Sequence, residues 1–338
     1  MKSMKRRIFG ILLSFLMMLT MMPALGLSQE SYAGYAPNVW VAGIQMRGDK
    51  TVVDSRDDAR ITGTATFDPN TRTLTLEGFN NGGLGVEGSA IYYNDRFNNL
   101  KIELEGENVV SGDEHGICST ETVDVEISGS GSLTASGNSG SGISVSRYLT
   151  KNGDGNLTAS SNSGSGINGG WGFRINGGTL IVRAAQTGVA GEGVTINNTI
   201  VDITSSTGAA ISAPNGLDIV NSTVSLDGNG AISSAGLDSS NIDIKKSSVD
   251  AKGNNGKGIY NNLRGFISIS DGSSVTATGN SCGIDAESGS VVISEDSSVT
   301  AAGAENGIKG IVRNSIAGTG WSNKEGTEGW TPIAINPQ

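Results

Sequence analysis

The residues of this 338-residue chain whose types and spacing could do chemistry are acidic and aromatic. Asp218 and Asp243 occupy matching short alternations, Leu217-Asp218-Ile219 and Ile242-Asp243-Ile244. If both segments are strands, their aliphatic residues share one face and both carboxylates project from the other. Adjacent pairing would then set the two backbones ~4.8 Å apart. Carboxylates held that close repel unless a cation bridges them, and calcium takes clusters of hard oxygen ligands. Calcium is therefore the cofactor this pair would suit, with Asp218 and Asp243 as metal ligands. Asp202 and Asp250 project in the same way from a second set of alternations, with Ser225 between them.

The aromatic candidates are Tyr92, Tyr93, Trp171 and Tyr260, each at or just beyond a recurring turn. An exposed ring plane with a polar tip is the usual platform for a sugar ring. Trp171 stands out because Asn168-Gly169-Gly170-Trp171-Gly172 leaves little around the indole to cover it. These four are the candidate carbohydrate-binding residues, and a polysaccharide or glycan is the expected partner.

Other chemistry finds little support. The single histidine, His115, sits in Asp113-Glu114-His115-Gly116 and reads as a solvated turn residue. With the two thiols Cys118 and Cys282 it supplies too few ligands for zinc. No constellation of nucleophile, base and orienting group is evident, so catalytic residues are none and the chain is not expected to be an enzyme.

These residues are positioned by a repeat. A small residue followed by Ile or Val recurs at Ile91, Ile117, Ile143, Ile167, Val189, Ile211, Ile232, Ile259, Ile284 and Ile308, at steps of 21 to 27 residues. Each period holds two further apolar alternations, such as Val194-Thr195-Ile196 and Val201-Asp202-Ile203. Alternation with period two marks strands with one buried face. Gly, Asn, Ser and Asp clusters between them supply turns. One such coil cannot bury its apolar stripe alone, but stacking gives each coil two neighbours and one continuous core. The expectation is all-β: a right-handed parallel β-helix of about ten coils, roughly 45–50 Å long at ~4.8 Å per coil. Seven coils would separate Cys118 from Cys282, too far for the ~7 Å Cα limit of a disulfide. The stretch Asn152-Gly153-Asp154-Gly155-Asn156 interrupts the pattern and predicts a bulge or loop.

The ends differ from the repeat. Residues 1–33 read as a signal peptide: Lys2, Lys5, Arg6 and Arg7, an apolar run from Ile8 to Met22, then Pro23 and small residues. That run is shorter than the ~20 residues a spanning helix needs. Secretion follows, with no membrane contact after cleavage. Losing those residues moves the net charge from −10 to about −13, which argues against nucleic acid as a partner. Residues 37–85 read as an N-terminal β cap, with a strand at Val39 to Ile44 and a hairpin turning at Asp68-Pro69-Asn70. The coils span 86–315, and 316–338 form a tail in which Trp321 and Trp330 would cover the last coil. The protein is expected to be a monomer.

Several stretches carry a resemblance: Val39-Trp40-Val41-Ala42-Gly43-Ile44, the segment from Ala65 to Leu76, the run from Ile269 to Gly279, and Ala317-Gly318-Thr319-Gly320-Trp321. From about residue 38 to 335 the chain resembles secreted carbohydrate-binding-domain parallel β-helix proteins of Gram-positive, often gut-dwelling, bacteria. That resemblance implies calcium-assisted binding of plant polysaccharides such as pectin or cellulose. Pectin-degrading enzymes share the shape, but galacturonan hydrolases of this kind carry Asn-Thr-Asp, Asp-Asp and Gly-His-Gly. Only one Asp-Asp is present, Asp57-Asp58, and it lies in the expected cap. Arg174, Arg183 and Arg264 have no acids at matching positions, as a lyase base would require. A secreted, non-catalytic binder of acidic or plant cell-wall polysaccharide is the leading expectation. A surface adhesin or structural solenoid is the alternative, ahead of a lyase or hydrolase.

Overall fold

The computed structural model describes residues 38–234, 240–262, 265–294 and 296–314. The proposed signal segment, Arg264 and the tail with Trp321 and Trp330 lie outside them. The described residues contain thirty strands and no helix, hence no helix long and apolar enough to cross a membrane.

Most strands pair in parallel with the equivalent strand one coil on, forming three ladders. In the first, the ten repeat landmarks stand in a single register from Ile91 to Ile308. The second ladder carries two inward rows. One runs Leu149, Phe173, Val194, Leu217, Ile242, Ile267, Val291, and the other runs Ile175, Ile196, Ile219, Ile244, Ile269, Ile293. The third stacks Leu180, Val201, Val224, Val249, Val275 and Val299. These rows are buried in one continuous core. The chain is thus a parallel β-solenoid of about ten coils.

Polar groups at the corners are satisfied by a second kind of stacking. Asn198, Asn221 and Lys246 take left-handed φ values of 51°, 48° and 51°, turning the chain between the second and third ladders. The residue after each donates its hydroxyl to a carbonyl two residues back: Thr199 to Asn197, Ser222 to Val220 and Ser247 to Lys245, all at 2.7 Å. The backbone N–H groups of Thr199 and Ser222 each donate to the hydroxyl one coil on, both at 3.1 Å. Buried corners therefore keep their backbone groups paired without water.

The structure departs from the sequence expectations in several places. Val39 to Ile44 is not one strand: Ala42 and Gly43 have φ of 51° and 81° and make a tight turn between Val39–Val41 and Ile44–Met46. Two successive left-handed residues are what a two-residue hairpin with the right twist requires. The hairpin at Asp68 is present, but its second strand, Thr73–Asn80, already pairs in parallel with Leu100–Glu105. Parallel stacking thus begins within the stretch expected to be cap. The Gly-rich stretch after Asn152 is the loop rather than the bulge of the two expected forms, joining the regular strands Tyr148–Asn152 and Leu157–Ser161. The irregularity of that coil is Lys151, which stands inward between Ile127 and Ile175 and is 2% exposed. Its ammonium donates to the carbonyls of Gly153 and, at 2.7 Å, Gly177. Register shifts occur instead at Gly169/Gly172 and Asp285/Ser290.

Both cysteines are buried free thiols, as expected from their separation. Burial pushes each thiol up to about 11. His115 is not a solvated turn residue. It opens the strand His115–Ser119, and its Nδ1 accepts the Ser141 N–H at 2.8 Å, so the ring lies against the next coil beside Gly140.

Candidate functional site

The outward positions of the second ladder build a groove. Arg174, Thr195, Asp218 and Asp243 follow one another in direct register along it. The stacked carboxylates foreseen from the two Leu/Ile-Asp-Ile alternations are therefore neighbours. Two residues earlier in each strand runs a parallel outward row: Tyr148, Gly172, Gly193, Gly216. Its next member is Asn241, the residue before Ile242. The consecutive glycines interrupt a row that is otherwise bulky, and the gap is a cavity of about 420 Å³. This lies within the ~300–1,000 Å³ range usual for small-ligand sites.

Trp171 stands at one end of this gap and is 47% exposed. Its ring meets Tyr148 edge-on, with centroids 6.1 Å apart and planes at 89°. Two guanidinium groups hold this corner: Arg147 lies 5.1 Å from the Trp171 centroid, and Arg174 lies 4.8 Å from that of Tyr148. Arg147 also sits 3.5 Å from Asp124. It lies 5.7 Å from the Tyr148 centroid as well, and such cation–π contacts hold the two rings in place. The opposite part of the groove is acidic and amide-rich. Asn215 donates to Glu192 at 3.0 Å, and Asp243 lies 3.9 Å from Lys245. Among the described residues Asp218 has no hydrogen-bond or close ion-pair partner, and Lys245 acts on it only at longer range. Partial burial first, and Asp243 second, raise its carboxyl above the ordinary value.

No protein-family model, curated protein or solved structure matches this chain.

The remaining candidates lie elsewhere. Tyr93 is fully buried and donates its hydroxyl to the Asn98 carbonyl at 2.7 Å, so it offers no stacking surface. Tyr92 is half-buried against Trp40, with centroids 5.5 Å apart. Tyr260 has Lys257 3.6 Å over its ring and donates to Glu287 at 2.5 Å. Its phenol is pushed up to about 12, by burial first and Glu287 next. Beside it, the buried Asp285 carboxylate sits between Lys257 at 2.6 Å and Lys309 at 3.4 Å. The members of that network partner one another. Asp202 and Asp250 face outward on the third ladder with Ser225 between, and Asp202 is paired with Arg183.

Calcium fits the groove poorly. Glu192, Asp218 and Asp243 line it without being gathered into the shell of six to eight oxygens that calcium takes, and Lys245 already partly neutralises Asp243. Among the described residues no group of three or more His, Cys, Asp or Glu side chains is gathered.

Gly193 and a binding role for Arg174 were not singled out from the sequence, in which Tyr148 is an ambiguous aromatic candidate like Trp171. The signal was present: aligning the second alternation of each coil puts Tyr148 and the glycines in one column.

Proposed function

We propose that this chain is a secreted, non-catalytic carbohydrate-binding β-solenoid whose ligand is an acidic or plant cell-wall polysaccharide. One observation carries the reading. Trp171 and the Asp218–Asp243 pair, chosen separately as sugar platform and polar ligands, line one cavity. An exposed indole beside a guanidinium, two amides and three carboxylates offers a ring face together with donors and acceptors for hydroxyls. Secretion rests on the character of residues 1–33. Calcium enters only as an optional bridge to a glycan carboxylate, and no step is routed through it.

The test is calorimetric titration with polygalacturonate and with neutral cell-wall oligosaccharides, each with and without a chelator. Binding is expected with the chelator present, and Trp171→Ala should weaken it about tenfold, a loss of roughly 1.4 kcal/mol. Flat heats with every glycan would overturn the reading.

A further inference from the structure

Neither the φ of Gly193 nor the space around it requires glycine, although it faces Gly172 at the register shift. Its φ lies outside the left-handed region, and a Cβ built on it would meet nothing within 4 Å. Its neighbours in the row are different. At Gly172 an added Cβ would come 3.0 Å from the Tyr148 ring, and Gly216 has a φ of +130°. A glycine inside a strand forgoes packing and loses more conformational entropy than other residues. At Gly193, where φ and space both allow a side chain, we read the glycine as room for a close approach from outside rather than as part of the register shift opposite it.

The side chains around this bare floor point the same way. Among the described residues the Arg174 guanidinium contacts the Tyr148 ring and has no carboxylate or carbonyl partner. Asp218, two steps along the same row, has no hydrogen-bond or close ion-pair partner among the described residues and feels Lys245 only at longer range. At ~4.8 Å per step, their backbones stand about 10 Å apart. An unpaired cation and an unpaired anion that far apart do not neutralise each other.

Building on the carbohydrate-binding reading, we propose that Gly193 is the seat of one acidic sugar unit. The ring lies on the glycine floor against Tyr148 and Trp171. Its carboxylate is held by Arg174, and its hydroxyls donate to Asp218. The guanidinium fork matches a carboxylate bidentately, which neutral sugars cannot exploit. The seat needs no metal.

The experiment compares trigalacturonate with its fully methyl-esterified form, in chelator, by calorimetry. The proteins are wild type, Gly193→Ile, Gly193→Ala, Arg174→Gln and the control Ser225→Ile on the third ladder. Isoleucine suits an outward strand position, so Gly193→Ile should melt at or above the wild-type temperature. It should bind at least about tenfold more weakly, with Gly193→Ala intermediate and Ser225→Ile unchanged. Arg174→Gln should lose the preference for the free acid, again about tenfold, and retain the ester. If Gly193→Ile or Gly193→Ala binds like wild type, the seat is wrong although the carbohydrate reading stands. Equal wild-type affinity for acid and ester removes the role of Arg174. Absence of binding to either trisaccharide and to the polymers removes both proposals.

Discussion

Replacing Asp218 by asparagine should stabilise the protein while weakening its ligand. Asp218 stands beside Asp243 in the same ladder and has no hydrogen-bond or close ion-pair partner among the described residues. Two unit charges ~4.8 Å apart interact by roughly 0.9 kcal/mol in water-like surroundings. Lys245, 3.9 Å from Asp243, and the exposure of Asp218 reduce that. A gain of about 0.5 kcal/mol at pH 7 is expected after this discount. The pH dependence fixes the cause. Burial and Asp243 raise the folded carboxyl above 3.8, so the folded state holds its proton to higher pH than the unfolded chain does. Stability therefore falls as pH climbs from 3.8 through the raised value, and the penalty is complete above it. At pH 3 both states are protonated and the penalty is gone. Urea unfolding of both proteins at pH 7 and pH 3 measures this, and repeating it in 1 M salt should shrink the difference. A variant less stable at pH 7, or equally stabilised at both pH values, would refute the reasoning. Stability gained as binding is lost is the usual mark of a site kept for its ligand.

Other outcomes follow from the same geometry. Ile196 is buried between Ile175 and Ile219, so Ile196→Ala should cost about 2–5 kcal/mol in urea unfolding; a loss below 1 kcal/mol would argue against a filled core there. Tyr93→Phe removes the hydroxyl donated to Asn98, and should cost about 1 kcal/mol while leaving glycan affinity unchanged. The exposed Trp171 reverses this pattern: Trp171→Ala should shift stability by no more than about 0.5 kcal/mol and affinity about tenfold. Neither Cys118 nor Cys282 should react with a thiol reagent at pH 8 until urea unfolds the chain, since burial raises both thiols to about 11. Rapid reaction of the native protein would place one of them at the surface.

Much of the fold was legible because a solenoid writes its contacts into the sequence at a fixed interval. All ten landmarks proved to be stacked neighbours, and Asp218 and Asp243 fell in register as their flanking aliphatics required. The misreadings came from side-chain parity and from single exceptions. Tyr93 is two residues from the inward Ile91, so alternation alone places it in the core. Ala42 looked like part of a strand because nothing in its type announces a positive φ. Lys151 hides at an inward position because its stem fills the core while its ammonium reaches two corner carbonyls. The groove was only half visible, because its floor is made by what is missing from three successive coils.

The most direct test of that groove is diffraction from crystals grown with trigalacturonate. A sugar ring over Gly193, with its carboxylate on Arg174 and a hydroxyl at Asp218, is the predicted result. Density for the trisaccharide on the third ladder near Asp202 and Asp250, with the Gly193 floor bare, would contradict it.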